Sequence, residues 1–177
     1  AREKKIPVIE DACEALGGTY KKKYLGNHGK CGFFSFDFGK IITCGEGGFV
    51  STNDKKTWIL IKALRDHGHE NKKGLHRGKD KAIISGFNYR MSELQAAIAI
   101  AQLKKLKKIL SIKKRNKKIF LQKFRNSKNK LKFDVRFCHD NSGEQADYLV
   151  LVFKNKNLAT KSLKEFKKNK INTGILP

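Results

Sequence analysis

Apolar residues fall first into short runs separated by glycine and charge, and only later into a long helical period. Ile6 to Ile9 is a brief apolar run ending in Glu10-Asp11. That is the pattern of a buried parallel strand whose carboxyl end reaches a crevice, and it sets Asp11 at the mouth of a sheet. Gly17-Gly18 breaks the chain, and TYKKKYLG alternates as a small hairpin with its lysines facing water. Cys31 to Phe36 reads as a strand, GEGG as a turn and Phe49 to Thr52 as another strand. Asn53-Asp54 then caps a helix, roughly Lys55 to Arg65, that carries Trp58, Ile61 and Leu64 on one face.

From His67 to Ser85 the chain is polar, glycine-rich and without periodicity, which predicts a functional or mobile loop. Ser92 opens a second helix with Gln95 three residues on, the capping-box spacing. Leu94, Ala97, Ile98, Ala101 and Leu106 form its expected apolar stripe, and the lysines between Lys104 and Lys123 its wet face. With no glycine or proline, a helix over about 92–126 can act as a strut between domains. Beyond Ser127 the pattern restarts, with strands at Lys132 to Phe137 and Ala146 to Phe153, a helix at Leu158 to Asn169 and a last strand at Ile171 to Ile175. The pattern predicts residues 1–126 as part of a large α/β domain that includes the linking helix, and 127–177 as an incomplete small domain.

With 177 residues and 39% hydrophobic content, the chain can bury one core or one core and part of another. It opens without methionine and stops without a tail, which reads as a piece of a longer protein. No apolar run approaches the roughly 20 residues of a membrane span, and no signal-peptide layout is present, so the reading is cytoplasmic with no membrane partner. The net charge of +24 raises the question of a nucleic-acid partner. Only seven of the 40 basic residues are arginines, the type suited to bidentate contacts with bases and phosphate. The bias towards lysine, asparagine and isoleucine runs along the whole chain, so no specific nucleic-acid partner is expected. Cysteines 13, 31, 44 and 138 lack zinc-like spacing and read as reduced thiols, and the histidines, HGH included, suggest no metal site.

One segment carries candidate chemistry. In SFDFGKIITCGEGG, residues 35 to 48, Lys40 lies between a serine five residues upstream and a glycine-rich turn five residues downstream. Phe36, Phe38, Ile41 and Ile42 surround it with apolar groups, and glycines at 45, 47 and 48 let backbone approach a ligand. A desolvated lysine at the end of a strand loses its proton readily enough to form a Schiff base. The same residues also describe a surface lysine beside a hairpin turn, Asp11 alone a helix cap, and Ser35 alone an ordinary strand serine.

Four segments bear on that choice. IPVIEDACEALG at 6–17, SFDFGKIITCGEGG at 35–48, LRDHG at 64–68 and GFNYRMSELQAAIAIAQLKKL at 86–106 together resemble the central part of the DegT/DnrJ/EryC1/StrS sugar aminotransferases. The resemblance implies a partial type I PLP-dependent aminotransferase fold: part of the large mixed-sheet α/β domain and the start of the small α/β domain. The implied cofactor is pyridoxal 5'-phosphate.

Carried over by position, Lys40 is the Schiff-base lysine and the base that moves a proton, Asp11 the partner of the pyridine nitrogen, and Ser35 a ligand of the cofactor phosphate. Asn88, in GFNYR, would reach the phosphate in the partner subunit's site, which implies a homodimer with shared active sites. Glu14 stands where the family often has glutamine or histidine near the ring hydroxyl, and a carboxylate there cannot donate a hydrogen bond unless protonated. Lys30 replaces a common aspartate. A branch with histidine in place of the lysine performs dehydration; this chain keeps Lys40.

The activity implied is transfer of an amino group from an amino acid, L-glutamate, to a keto-sugar, usually nucleotide-linked, in amino-sugar and cell-surface polysaccharide biosynthesis such as that of lipopolysaccharide. The alternative within the family is the branch aminating an eight-carbon acidic sugar, 8-keto-Kdo. Outside it stands a catalytically degenerate, lysine-rich polyanion-binding module.

Overall fold

The computed structural model describes residues 1, 3–126 and 133–175. Strands β1 (Ile9–Asp11), β4 (Cys31–Ser35) and β5 (Gly48–Ser51) form a mixed three-stranded sheet in the order β1-β4-β5. Strand β1 runs parallel to β4, with Asp11 beside Phe33, and β5 is antiparallel, with Gly48 beside Ser35. Between β1 and β4, β2 (Thr19–Tyr20) and β3 (Lys23–Tyr24) make the small hairpin, turned by Lys21 and Lys22 in left-handed backbone.

The first strand lies later than its apolar run. Ile6 to Val8 precede it, and Ile6 and Ile9 are each 62% exposed, because β1 is a sheet edge among the described residues. The three glycines of the turn serve the fold as well as any ligand. A Cβ on Gly48 would stand 2.3 Å from the Phe34 carbonyl oxygen, so β5 can approach β4 only with glycine there.

Helix α1 (Lys55–Leu64) starts at Asp54, whose carboxylate accepts from the Thr57 amide at 2.6 Å. Its expected apolar face is only partly used. Ala63 is buried, whereas Trp58 is 52% exposed. Between α1 and the next long helix the polar loop is pinned by isolated bridges Asp66–Asn88 and His69–Ala82 and contains a short 3-10 turn at Arg77–Lys79.

Helix α2 (Glu93–Arg125) spans 33 residues, about 50 Å. Both halves of its capping box form: Ser92 Oγ accepts from the Gln95 amide and Gln95 Oε1 from the Ser92 amide. The buried side of α2 differs from the expected stripe. Ala99 enters the core with Leu106 and Ile109 packed near it, while Leu94 is 79% exposed and Ile98 is also exposed. The core itself unites Ala12, Leu16, Phe34, Phe36, Ile42 and Cys44 with Ala99, so the N-terminal half of α2, from Ala99 to Ile109, packs on the sheet and the turns that follow its strands. Not all the lysines of α2 face water. Lys113 and Lys117 turn inward to ion pairs with Asp147 and Glu144.

In the C-terminal segment, β6 (Phe133–Val135) and β7 (Leu151–Phe153) pair antiparallel, and α3 (Lys156–Lys168) follows from an Asn155 cap. Phe124 of α2 stacks on Phe133 at 4.2 Å between ring centroids, and Phe133 meets Phe153 at 5.5 Å, which ties the helix end to this sheet. Residues 127–132, the beginning of the expected first strand included, lie outside the described residues. The expected strand over Ala146 to Phe153 shortens to its last three residues, the ones that pair with β6, and Ala146 takes left-handed backbone (φ 59°). Ile171 to Ile175 is not a strand: the Ile171 amide folds back to the Phe166 carbonyl at 2.8 Å to close α3, and the residues after it pair with no strand among those described.

Candidate active site at the carboxyl end of the sheet

Asp11 ends β1, Ser35 ends β4, and the segment after β4 turns back over both. Phe36, 3% exposed, anchors that turn: its amide donates to the Gly47 carbonyl at 2.8 Å, and its carbonyl accepts from the Cys44 amide at 3.1 Å and from Thr43 Oγ1 at 2.9 Å. The loop so closed carries Lys40, whose amide donates to the Asp37 carbonyl at 3.0 Å. Packing of one buried phenylalanine thus presents the lysine at the sheet's carboxyl edge.

Lys40 Nζ donates to the Glu14 carboxylate, and its side chain is 19% exposed. This hydrogen bond holds the Lys40 ammonium above the ordinary lysine value; burial opposes it, while the charges of Glu14 and Asp37 reinforce it. Asp11 Oδ1 accepts from the Cys13 amide at 3.1 Å. That bond, with the Cys13 thiol, holds the Asp11 carboxyl below the ordinary carboxylate range, and the Lys40 charge adds to the effect. An amine, two carboxylates and a thiol therefore meet within electrostatic reach at one end of the sheet.

Ser35 Oγ accepts from the Asp37 amide at 3.2 Å, so the hydroxyl hydrogen is the group it can offer a ligand. The fold brings Asp11, Glu14, Ser35 and Lys40 to the same edge but does not bring Asn88 to them. Asn88 Oδ1 accepts from Arg90 Nε at 2.9 Å in a separate cluster around Asp66, which also takes Arg77 Nη2 at 2.5 Å. Burial would push the Asp66 carboxyl up; the Arg77 hydrogen bond and charge, with Arg90 and His69, outweigh it and hold the carboxyl low.

Two contacts here have no local signature in the sequence. Gln95 Nε2 donates to the Glu46 carbonyl at 2.9 Å, joining α2 to the glycine turn. Gln145, from the C-terminal segment, donates to the Glu14 carbonyl. The capping-box spacing signals a local role for Gln95 only, and nothing in the neighbourhood of Gln145 marks it.

The donor set suits pyridoxal phosphate. A primary amine stands within electrostatic reach of a carboxylate held low, and the Ser35 hydroxyl lies on the adjoining strand end.

Comparison with known proteins bears on the same reading. The model of the DegT/DnrJ/EryC1/StrS aminotransferase family matches residues 1–176. The GDP-perosamine synthase of Caulobacter vibrioides is 43% identical over 115 residues, covering 65% of this chain and 30% of that protein. The UDP-4-amino-4,6-dideoxy-N-acetyl-beta-L-altrosamine transaminase of Campylobacter jejuni is 44% identical over 107 residues, covering 60% of this chain and 27% of that protein. The solved structure of the E. coli GDP-4-keto-6-deoxy-D-mannose-3-dehydratase with bound hydrated PLP superposes with a TM-score of 0.81 at 25% identity, over 94% of this chain and 45% of that one. The chain spans less than half the length of these relatives. With the mixed sheet, the lysine-bearing turn and a family match over nearly all its residues, the chain belongs to the DegT/DnrJ/EryC1/StrS aminotransferase family.

Proposed function

We propose that the protein is a PLP-dependent aminotransferase that moves an amino group from an amino acid, L-glutamate, to a nucleotide-linked keto-sugar. The observation that carries this reading is Lys40, an amine held against Glu14 and within reach of the charge of Asp11. When bound, pyridoxal phosphate supplies an electron sink for the carbanion formed at the donor's α-carbon. Lys40 Nζ would hold the cofactor covalently and would serve as the base that moves a proton. Its pairing with Glu14 keeps the amine charged in the free protein, so Nζ must lose a proton before it can act as a nucleophile. Asp11, its carboxyl held low, would stay ionised and pair with the ring nitrogen. The Ser35 hydroxyl would donate to the phosphate, and Asn88, held in the separate cluster of Arg90 and Asp66, would serve the phosphate of a second subunit's site. Residues 1–126 belong on this reading to the large domain and 127–177 to the start of the small one.

Two relatives named above act, by their names, on GDP- and UDP-linked sugars, which favours a nucleotide-linked substrate over the eight-carbon acidic sugar. Retention of Lys40 favours amino transfer over dehydration. The test is absorbance of the full-length protein with pyridoxal phosphate. A visible band that disappears in Lys40→Ala, together with amination of a nucleotide-linked keto-sugar, is the expected result. A full-length protein that takes up no pyridoxal phosphate overturns the reading in favour of the polyanion-binding module.

A further inference from the structure

We propose that Gln145 is a positioning residue for the working amine, holding Glu14 so that its carboxylate stays on Lys40. The proposal rests on the reading of Lys40 given above. Gln145 Nε2 donates to the Glu14 carbonyl, while the carboxylate of the same residue accepts from Lys40 Nζ. One residue is thus gripped at its backbone by the C-terminal segment and at its side chain by the lysine.

The backbone around Glu14 leaves its carbonyl for this contact. In the turn after β1, the Ala15 amide donates to the Ala12 carbonyl and the Gly18 amide to the Ala15 carbonyl, both at 2.9 Å. The Glu14 carbonyl takes no part in them, and Gln145 satisfies it.

Gln145 also arrives from a platform clamped on two sides. Towards the hairpin, the Lys21 amide donates to Asp140 Oδ2 and the Thr19 amide to the Gly143 carbonyl, both at 2.8 Å. A Cβ on Gly143 would stand 1.9 Å from the Thr19 oxygen, so the two backbones meet only because glycine is there. Towards α2, Lys113 and Lys117 hold Asp147 and Glu144, and Lys114 Nζ donates to the Ser142 carbonyl at 3.1 Å. The Gln145 Oε1 is buried without a hydrogen-bond partner, so its donor contact to Glu14 is the hydrogen bond this amide makes among the described residues. A shift of this turn against the sheet must therefore drag the Glu14 backbone and, with it, the carboxylate that sets the charge of Lys40. Among the described residues the other groups facing that amine are Asp37, Asp11 and Cys13, all on the sheet side, and the Gln145 contact is the one that ties it to the C-terminal segment.

The experiment needs no cofactor. In the full-length protein free of pyridoxal phosphate, the rate at which acetic anhydride acylates Lys40 is followed against pH by peptide mass spectrometry. Glu14→Gln is expected to move the profile to lower pH, so that Lys40 acylates several-fold faster at mildly alkaline pH. Gln145→Ala and the near-isosteric Gln145→Leu are expected to move it the same way by a smaller amount, and Gln145→Leu combined with Glu14→Gln no further than Glu14→Gln alone. A profile that stays with the wild type in folded Gln145→Leu, or a shift that simply adds to that of Glu14→Gln, overturns the proposal. A lower unfolding temperature without a moved profile marks Gln145 as structural only and overturns it too. Failure of the aminotransferase reading would appear separately, as the missing absorption band.

Discussion

Gln95 donates from Nε2 to the Glu46 carbonyl at 2.9 Å while its Oε1 accepts from the Ser92 amide at 3.0 Å. One side chain thereby caps α2 and ties it to the turn that follows Lys40. Gln95→Ala removes both contacts, and is expected to lower stability by about 1–2 kcal/mol. Denaturant unfolding of the variant, compared with Ser92→Ala, checks this. Equal losses in the two would leave the tether to Glu46 without energetic weight.

Asp66, 6% exposed, is held as a carboxylate by Arg77 and Arg90 despite its burial. Its folded-state pKa lies below the unfolded one, so the stabilisation is complete above about pH 4 and is lost as the pH falls through the folded value. Thermal unfolding followed from neutral into acid pH should show a steep acid limb in the wild type that flattens in Asp66→Asn. Asp66→Ala, which leaves Arg77 unpaired, is expected to cost about 2 kcal/mol near neutrality.

Asp11 is ionised through the whole neutral range because Cys13 and then Lys40 hold its carboxyl down. Asp11→Asn removes the charge and keeps the shape. In the full-length protein it should retain the visible absorption band and lose about 10²-fold in turnover. No fall in activity attributable to Asp11 is expected until the pH drops below about 4. Single-turnover kinetics across pH provides the measurement, and unaltered turnover in Asp11→Asn would remove Asp11 from the chemistry.

Gly48 faces the Phe34 carbonyl so closely that an added methyl has no room. Gly48→Ala is expected to push β5 from β4 and to cost about 1–3 kcal/mol. Gly45, whose Cβ would meet nothing within 4 Å but whose φ of +89° favours glycine, makes a useful comparison. There the cost is one of backbone alone, about 1 kcal/mol, and urea titration of both variants separates the two causes.

What was legible in the sequence has a short physical range. The Ser92–Gln95 box, the Asp54 cap and the lysine hairpin each involve residues three to five positions apart, and all three stand in the structure as expected. Strand β4 and the turn bearing Lys40 were equally readable, because an apolar run and a glycine cluster bound them. The four ordered motifs identified the family. The buried face of α2 was not readable in this way. Leu94 and Ala99 lie on different sides of a helix apolar on both, and only the position of the sheet's core chose Ala99.

Contacts between distant segments were likewise decided by tertiary structure. The carbonyl of Glu14 meets Gln145 across 131 residues, and the carboxylate of Glu14 meets Lys40 across 26. Sequence periodicity carries no information about such pairs, since each depends on where separate elements stop and turn. The same holds for Ile171 to Ile175, apolar enough for a strand, which follows the close of α3 because a strand exists only where a neighbour offers its hydrogen bonds. The sequence by itself determined most of the elements, the helix caps and the family. The tertiary structure decided which side chains Lys40 meets and through them what charge it carries.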